Sequence, residues 1–226
     1  MRAIAVAAVV AYHAFPGAVP GGFVGVDIFF VISGYLITSL LVRERADTGR
    51  VDFVAFYARR MRRLLPALVA MLVGVMLLLV VLMGRHERLA SDAASSSLWS
   101  LLFAANLHFQ ATVGGYFDAA ADTRPMLHLW SLAVEEQYYL IYPWLLVALL
   151  ARVPAAPVRW LAALASASFV LSEYWANVEP GMGFYQMPSR FWELAAGGLV
   201  ALSPTVPAGR RRLPGLLPAG LALVLL

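Results

Sequence analysis

The chain has 226 residues, of which 62% are hydrophobic and only 13% are charged, and its formal net charge is +4. This composition is typical of a membrane protein that crosses the bilayer several times, and it excludes an ordinary soluble domain. Cysteine is absent, which excludes disulfides, thiolate metal sites and a cysteine nucleophile. All seventeen Lys and Arg positions are arginine, and no basic stretch is interleaved with aromatic residues as in a groove that binds nucleic acid.

The first predicted element is a transmembrane hairpin, whose two apolar runs, 3–15 and 23–41, are separated by a turn rich in glycine and proline. Three ionisable side chains lie in or beside these runs, namely Arg2, His13 and Asp27. Arg2 and His13 are eleven residues apart, which places them within about 20° of one helix face. Ionisable groups at membrane depth are costly, so all three are candidate functional residues.

The two ends of the chain predict a fragment. The first run is shorter than the roughly 20 residues that span a bilayer, and the last apolar run, 213–226, stops without a basic flank or a loop. We therefore expect one domain over residues 1–226 that is incomplete at the C terminus and at the N terminus.

Arginine clusters set the predicted topology. Seven arginines fall between residues 43 and 63, and such an excess in a short segment places it, together with the N terminus, in the cytoplasm. Further spans are predicted at 64–83, 128–150, 160–175 and 189–203, with a short interfacial or re-entrant helix at 95–107. The predicted fold is thus an all-α, polytopic transmembrane helical bundle of about six complete spans plus a truncated seventh.

This topology predicts where the polar side chains lie. His13, Asp27 and Glu135 all fall in the outer half of the membrane. Arg190 and Glu193 are three residues apart, share a helix face and enter the membrane from the same side, as candidates for an acceptor site or a structural site. The convergence of a base, several carboxylates and an arginine at one depth indicates a site near the outer surface.

Arg60 and Arg63 are predicted at the opposite, cytoplasmic surface, where they form an anion-binding patch. A run of arginines is also an ordinary topology signal, which applies above all to Arg59 and Arg62. A site near the outer face and an anion-binding patch inside indicate a reaction whose two substrates arrive from opposite sides.

Five ordered blocks of sequence cover most of the chain. They are Arg2 and His13 with the segment 21–37; Phe56 and Tyr57 with Arg60, Arg63 and Pro66; Asn106 with the segment 115–118; the segment 127–140; and the segment 188–194. These blocks closely resemble acyltransferase family 3, a family of bacterial integral-membrane O-acyltransferases, and above all its branch that O-acetylates lipopolysaccharide or peptidoglycan. Members of that branch often carry about ten helices followed by a periplasmic hydrolase-like domain, so the resemblance also leads us to expect that residues 1–226 are part of a longer protein.

The resemblance implies a multi-pass enzyme of the bacterial inner membrane that moves an acetyl or other short acyl group from cytoplasmic acyl-CoA to a hydroxyl of a cell-envelope glycan. It implies that Arg60 and Arg63 bind the phosphates of acyl-CoA, for which the forked guanidinium is suited. Arg2 could hold donor phosphate or position the helix that carries His13. The expected partners are membrane lipid, the glycan acceptor and acyl-CoA, such as acetyl-CoA, without nucleic acid.

Acyl transfer to a hydroxyl needs a base, and His13 is the candidate because the usual imidazole pKa of about 6.5 suits that task. A carboxylate bonded to the other ring nitrogen would fix the tautomer, and either Glu135 or Asp27 could supply it, with Glu135 preferred. Glu136 points about 100° away from Glu135 on the helix and is expected to pair or cap elsewhere. Direct transfer and a transient acyl-His13 intermediate both remain open.

Two other classes of protein remain open at this point. A transporter or channel could use the same arginines and intramembrane acids as a permeation path, and a non-catalytic partner subunit could share the same topology. Asp27 could also be a simple residue at the start of its helix. His86, His108 and His128 lack the spacing of metal ligands, so no metal site is predicted.

Overall fold

The computed structural model describes residues 2–15, 19–83, 87–116, 121 and 124–203. Within these ranges the chain forms helices and no strand, which confirms the predicted all-helical class. The predicted run 213–226 and His86 lie outside the described residues.

The helices follow one another with short connections. In chain order they are α1 (Arg2–Ala14), a 3₁₀ helix (Gly22–Val24), α2 (Gly25–Thr48), α3 (Phe53–Met83), α4 (Glu87–Leu101), α5 (Ala105–Val113), α6 (Leu129–Arg152), α7 (Pro157–Val178), α8 (Pro180–Tyr185) and α9 (Met187–Leu202). The six predicted spans all occur as helices, whereas α8 was not predicted.

Helix α3 begins at Phe53, whereas the prediction started this span at residue 64. The Asp52 carboxylate accepts a hydrogen bond from the backbone N–H of Ala55 (2.9 Å), and the Glu44 side chain accepts one from the N–H of Asp52 (2.9 Å). Asp52 thus caps the helix, and arginine is a good helix former. For these two reasons the arginine-rich segment is the first part of α3 and not a loop.

The predicted helix 95–107 is two helices, because the chain leaves the helical path between α4 and α5. Phe103 has φ = 52°, a left-handed backbone conformation that residues other than glycine rarely adopt. Its carbonyl accepts a hydrogen bond from the side-chain amide of Gln137 in α6 (2.9 Å). A side chain from a different helix therefore holds this break.

The described helices fall into two compact units. The first consists of Met1–Arg43, Ala148–Ser166 and Trp192–Leu226, and the second of Glu44–Val147 and Ala167–Phe191. The predicted site residues of the first unit are Arg2, His13, Asp27 and Glu193, and those of the second are Arg60, Arg63, Glu135 and Arg190.

In the first unit, α1 and α2 form the predicted hairpin, and glycines make its close contacts. A Cβ atom on Gly22 would overlap the carbonyl oxygen of Ala8, and one on Gly25 would overlap the carbonyl oxygen of Ala5. Close approach of two helix backbones through small residues is the usual way in which membrane helices pack. Gly22, in the predicted turn, and Gly25, in the predicted second run, therefore let the two helices approach closely.

In the second unit, α3 and α6 run antiparallel over the first half of α3. The Phe53 ring stacks on Trp144 (3.7 Å between centroids), and the Tyr57 hydroxyl donates to the Leu140 carbonyl (2.9 Å). The same hydroxyl accepts a hydrogen bond from the indole N–H of Trp144 (3.1 Å). Continuing this register by one helical turn brings Arg60 beside Glu136, in the first half of α6.

Two helical stretches of the described chain are long and apolar enough to cross a membrane, judged by length and composition: Gly22–Thr48 and Phe53–Val81. The second stretch leaves large apolar side chains exposed, with Val81 at 77% and Leu77 at 61%. Such a surface would be unfavourable in water and is expected for a helix that meets lipid. The total of six spans and the cytoplasmic N terminus stay predictions.

Candidate active site

His13 lies in the last turn of α1, and its side chain is exposed. Its Nδ1 is 2.8 Å from the carbonyl oxygen of Val9, one turn earlier in the same helix. A carbonyl only accepts, so Nδ1 carries the proton and donates it to Val9. This tautomer places the basic lone pair of the ring on Nε2.

The hydrogen bond to Val9 gives the His13 ring a partner that was not predicted, because Nδ1 of a helical histidine can reach the carbonyl oxygen of the preceding turn. The expectation that a carboxylate of Glu135 or Asp27 bonds the other ring nitrogen is not tested by this contact. Asp27 lies half-buried in the first turn of α2, where a carboxylate is stabilised by the helix dipole. The catalytic roles of Glu135 and Asp27 stay predictions.

Arg2 connects the start of α1 to the middle of α2. Its Nη2 donates to the hydroxyl of the fully buried Ser33 (2.7 Å), and its guanidinium carbon lies 5.1 Å from the centre of the Phe29 ring. These contacts favour the predicted role in positioning the helix that carries His13. The alternative role, binding donor phosphate, is a prediction that they do not test.

Arg60 lies beside the two adjacent glutamates of α6, and we call the group formed by Arg60, Glu135, Glu136 and Tyr139 the carboxylate cluster. Arg60 Nε donates to both carboxylate oxygens of Glu136 (2.9 and 2.7 Å), and Arg60 Nη2 also donates to one of them. Arg60 Nη2 is 3.9 Å from a carboxylate oxygen of Glu135, whose other oxygen accepts a hydrogen bond from the Tyr139 hydroxyl (2.7 Å). The guanidinium carbon lies 3.6 Å from the centre of the Tyr139 ring.

These contacts show that the predicted separation of Arg60 from Glu135 is wrong. The prediction treated residues 53–63 as a cytoplasmic loop, whereas they form the first turns of α3 and lie along α6. Glu136 pairs with Arg60, which also lies 3.9 Å from Glu135, so both glutamates face the same arginine. The expectation that only one of them faces His13 stays a prediction. Arg63 is exposed, so the two arginines have different surroundings.

Next to the carboxylate cluster, a pair of side-chain amides joins α6 to α5, and neither residue was a predicted site residue; Asn106 is buried and Gln137 is half-buried. Gln137 Nε2 donates to Asn106 Oδ1 (2.8 Å), and Asn106 Nδ2 donates to Gln137 Oε1 (3.3 Å) and to the Tyr185 carbonyl (3.0 Å). Buried amides are stabilising only when their donors and acceptors are satisfied, as they are here. Both residues lie in blocks that carry the family resemblance, which was the available signal.

Arg190 and Glu193 both lie on α9, as predicted. The Arg190 guanidinium carbon is 5.5 Å from the centre of the Trp130 ring and 5.3 Å from that of Phe184. Glu193 is 1% exposed. Arg190 therefore contacts aromatic faces, and the predicted acceptor or structural role of the two residues stays a prediction.

His108 lies on α5. Its ring stacks on Trp99 (5.9 Å between centroids, 15° between planes), near an ion pair between Arg124 and Asp92 (2.9 Å). No group of three or more histidine, aspartate or glutamate side chains suited to a metal ion occurs within the described ranges. Burial lowers the pKa of His108 below its usual value and Arg124 lowers it further, whereas Asp92 raises it.

The lowered pKa of His108 predicts a pH dependence of stability. At a pH between the lowered pKa of His108 in the folded protein and its usual pKa in the unfolded chain, the unfolded chain binds a proton at His108 that the folded protein does not bind. The neutral His108 therefore contributes fully to the stability of the folded protein above about pH 6.5, and this contribution is lost as the pH falls below that value. We expect a lower melting temperature at pH 5.5 than at pH 7.5 in detergent. The variant His108→Phe keeps an aromatic ring against Trp99 and should reduce this difference; an unchanged difference would show that other groups cause it.

Comparison with known proteins adds a family assignment to this geometry. The sequence model described as an acyltransferase domain matches residues 1–226. The chain is 38% identical over 219 residues to YrhL of Bacillus subtilis, provisionally named a peptidoglycan O-acetyltransferase, and 35% identical over 218 residues to the peptidoglycan O-acetyltransferase OatA of Listeria monocytogenes. These alignments cover 95% and 92% of this chain but only 34% and 35% of the two relatives.

A provisionally named O-acetyltransferase of Staphylococcus aureus is 36% identical over 211 residues, which are 89% of this chain and 33% of the relative. The chain therefore spans about a third of the length of the curated relatives that it matches. No solved structure matches it significantly.

Proposed function

The chain belongs to the acyltransferase-domain family, and from that premise we propose that it forms the acyl-transferring part of a cell-envelope O-acetyltransferase. The acyl group is acetyl or another short acyl group, the donor is acyl-CoA in the cytoplasm, and the acceptor is a hydroxyl of an envelope glycan, with peptidoglycan favoured over lipopolysaccharide. The names of YrhL and OatA support peptidoglycan as the acceptor. Membership of this family favours an enzyme over a transporter or a non-catalytic subunit.

The observation that carries the proposed chemistry is the hydrogen bond from His13 Nδ1 to the Val9 carbonyl. With the proton on Nδ1, Nε2 takes the proton of the glycan hydroxyl while the hydroxyl oxygen bonds to the thioester carbonyl carbon. The resulting tetrahedral intermediate then collapses, the C–S bond breaks, and the imidazolium returns the proton to the departing CoA sulfur. Arg2 supports this step because it ties the start of the same helix to Ser33.

A second route uses the same nitrogen as a nucleophile. Nε2 then bonds to the thioester carbon, the C–S bond breaks, and CoA leaves as a thiolate that takes a proton from water. The glycan hydroxyl next attacks the acyl-His13, the bond from the acyl carbon to Nε2 breaks, and the hydroxyl proton passes to the freed Nε2 and from there to water. This route would let the acyl group move from a cytoplasmic donor to an acceptor on the other side without both substrates meeting. Trapping of acylated His13 in the absence of acceptor, detected by mass spectrometry after rapid quenching, distinguishes it from direct transfer.

We place the protein in the bacterial inner membrane as a multi-pass protein with a cytoplasmic N terminus. The two long apolar helices and the arginines that precede and begin α3 support this placement. The exposed side chain of Arg63 suits the phosphates of the donor. Arg190, among aromatic rings, suits the acceptor side or a structural role.

The test uses the purified full-length protein in lipid nanodiscs with acetyl-CoA that carries a radioactive acetyl group. Peptidoglycan fragments and lipopolysaccharide are offered as separate acceptors. We expect label on peptidoglycan that mild base releases, as expected for an ester. Absence of base-labile label on either glycan would refute the proposal, and label on lipopolysaccharide alone would refute the choice of acceptor.

A further inference from the structure

We infer that Arg60 and Arg63, which lie three residues apart on α3, have different tasks in the proposed reaction: Arg63 binds a donor phosphate, whereas Arg60 is a positioning residue that holds the carboxylates of Glu135 and Glu136. This inference rests on the proposed function. It is carried by the contacts of the carboxylate cluster and by the different exposure of the two arginines.

The guanidinium of Arg60 is already engaged. Its Nε and Nη2 groups both donate to Glu136, the Tyr139 ring covers one face at 3.6 Å, and Glu135 lies 3.9 Å from Nη2. The Glu136 side chain is 5% exposed. A phosphate that took the Nε and Nη2 donors would have to displace a buried, bidentate carboxylate, and such a pair is among the stronger ion pairs that proteins form.

The charges of the carboxylate cluster also argue against phosphate binding at Arg60. Two carboxylates face one guanidinium, and like charges repel strongly where solvent is excluded. A donor phosphate brought to this place would add negative charge to an existing excess of carboxylates. The cluster is therefore poorly suited to an anionic ligand, although one of its members is an arginine.

Arg60 instead orders both carboxylates. It binds Glu136 directly, and it packs on the ring of Tyr139, whose hydroxyl donates to Glu135. The next residue, Gln137, is fixed from α5 by Asn106. Three consecutive side chains of α6 are thus each held by a different contact, which favours a single rotamer for each of them.

Arg63 lies one helical turn further along α3, and its side chain is exposed. The neighbouring Arg62 is exposed as well, so positive charge accumulates there. An exposed guanidinium keeps its donors available for phosphate oxygens at a low desolvation cost. The nucleotide phosphates of acyl-CoA are the anions that the proposed reaction brings to the protein.

The test compares acetyl-CoA with S-acetylpantetheine, which has the same thioester and arm but no phosphate. The measured quantity is the ratio of kcat/KM for the two donors, because a partly unfolded preparation changes both values equally. We expect Arg63→Gln to lower this ratio roughly tenfold to a hundredfold, as for the loss of one hydrogen bond to a charged group. We expect Arg60→Gln to leave the ratio unchanged and to lower kcat with both donors.

Two further variants keep the test decisive. The double variant Arg60→Gln/Glu136→Gln replaces the ion pair by two neutral amides. It leaves no Glu136 carboxylate buried without its arginine, so it should fold even if Arg60→Gln alone does not. We expect its kcat to be low at an unchanged KM for acetyl-CoA, whereas a wild-type kcat would show that Arg60 is only structural and overturn its assignment. Arg59→Gln removes the same charge from the same helix and should not change the ratio.

Three results would overturn the inference. The ratio of kcat/KM for the two donors could fall as much in the Arg60 variants as in Arg63→Gln, it could stay unchanged in Arg63→Gln, or it could fall equally in Arg59→Gln. If S-acetylpantetheine is too poor a donor, the Kd of CoA is measured instead of the ratio. This Kd should rise for Arg63→Gln and not for Arg60→Gln/Glu136→Gln, and the reverse result would overturn the inference. Failure of the wild-type protein to transfer acetyl from either donor would instead refute the proposed function.

Discussion

Replacing His13 by asparagine is expected to lower kcat for acyl transfer by about 100- to 10,000-fold, the range usual for the loss of a general base. The amide of asparagine keeps an N–H group that can approach the Val9 carbonyl, but it has no basic nitrogen. Since the His13 side chain is exposed, the exchange leaves the core of the protein intact. The loss is therefore expected in kcat at an almost unchanged melting temperature.

The measurement is the rate of acetyl transfer to peptidoglycan fragments in nanodiscs, at saturating acetyl-CoA and several pH values. His128→Asn is the matched control, because it makes the same exchange at another exposed histidine. We expect wild-type rates for that control. Should His13→Asn transfer acetyl at the wild-type rate, His13 is neither base nor nucleophile, and the proposed mechanism fails on both routes.

The hairpin of α1 and α2 could be predicted from the sequence, because long apolar runs and a turn of glycine and proline are strong local signals. The candidate His13 also came from the sequence, since an ionisable group in an apolar run is unusual. The partner of its Nδ1 could not be predicted in the same way. Any helical histidine can bond the carbonyl of the preceding turn or a side chain from elsewhere, and spacing does not decide between them.

The position of Arg60 shows how a wrong helix boundary changes a prediction about a site. Arginine-rich residues before an apolar run are an ordinary loop signal, so the span was started at residue 64. Because α3 begins after the cap at Asp52, it is about three turns longer than predicted, and Arg60 lies beside α6 and not in a loop. Asp52 was a readable signal, because aspartate is a favoured N-cap residue.

The break between α4 and α5 could not be found in the sequence. Neither glycine nor proline marks residues 102–104, and Phe103 is an unfavourable residue for a left-handed conformation. The break is held by Gln137, a residue distant in sequence. Tertiary contacts of this kind override local preference, and single-sequence reasoning has no access to them.

The exchange Gly34→Ala is expected to lower the stability of the first unit by about 1 to 3 kcal/mol or more, as for overpacking of a close contact. A Cβ on Gly34 would overlap the carbonyl group of Leu194, and backbone atoms cannot turn aside as a flexible side chain can. We therefore expect α2 and α9 to be forced apart and the melting temperature in detergent to fall. Gly74→Ala is the matched control, since no atom lies within 4 Å of its added Cβ.

In a helix, alanine is favoured over glycine by up to about 1 kcal/mol, so Gly74→Ala should keep or raise the melting temperature. Equal stability of the two variants would contradict the close packing of α2 on α9. The same crossing has a second glycine, Gly197, whose Cβ would overlap the carbonyl oxygen of Val31. Once one added methyl group has separated the helices, the second meets less resistance. The double variant Gly34→Ala/Gly197→Ala should therefore lose less stability than the sum of the two single variants, whereas additive losses would show that the two contacts act independently.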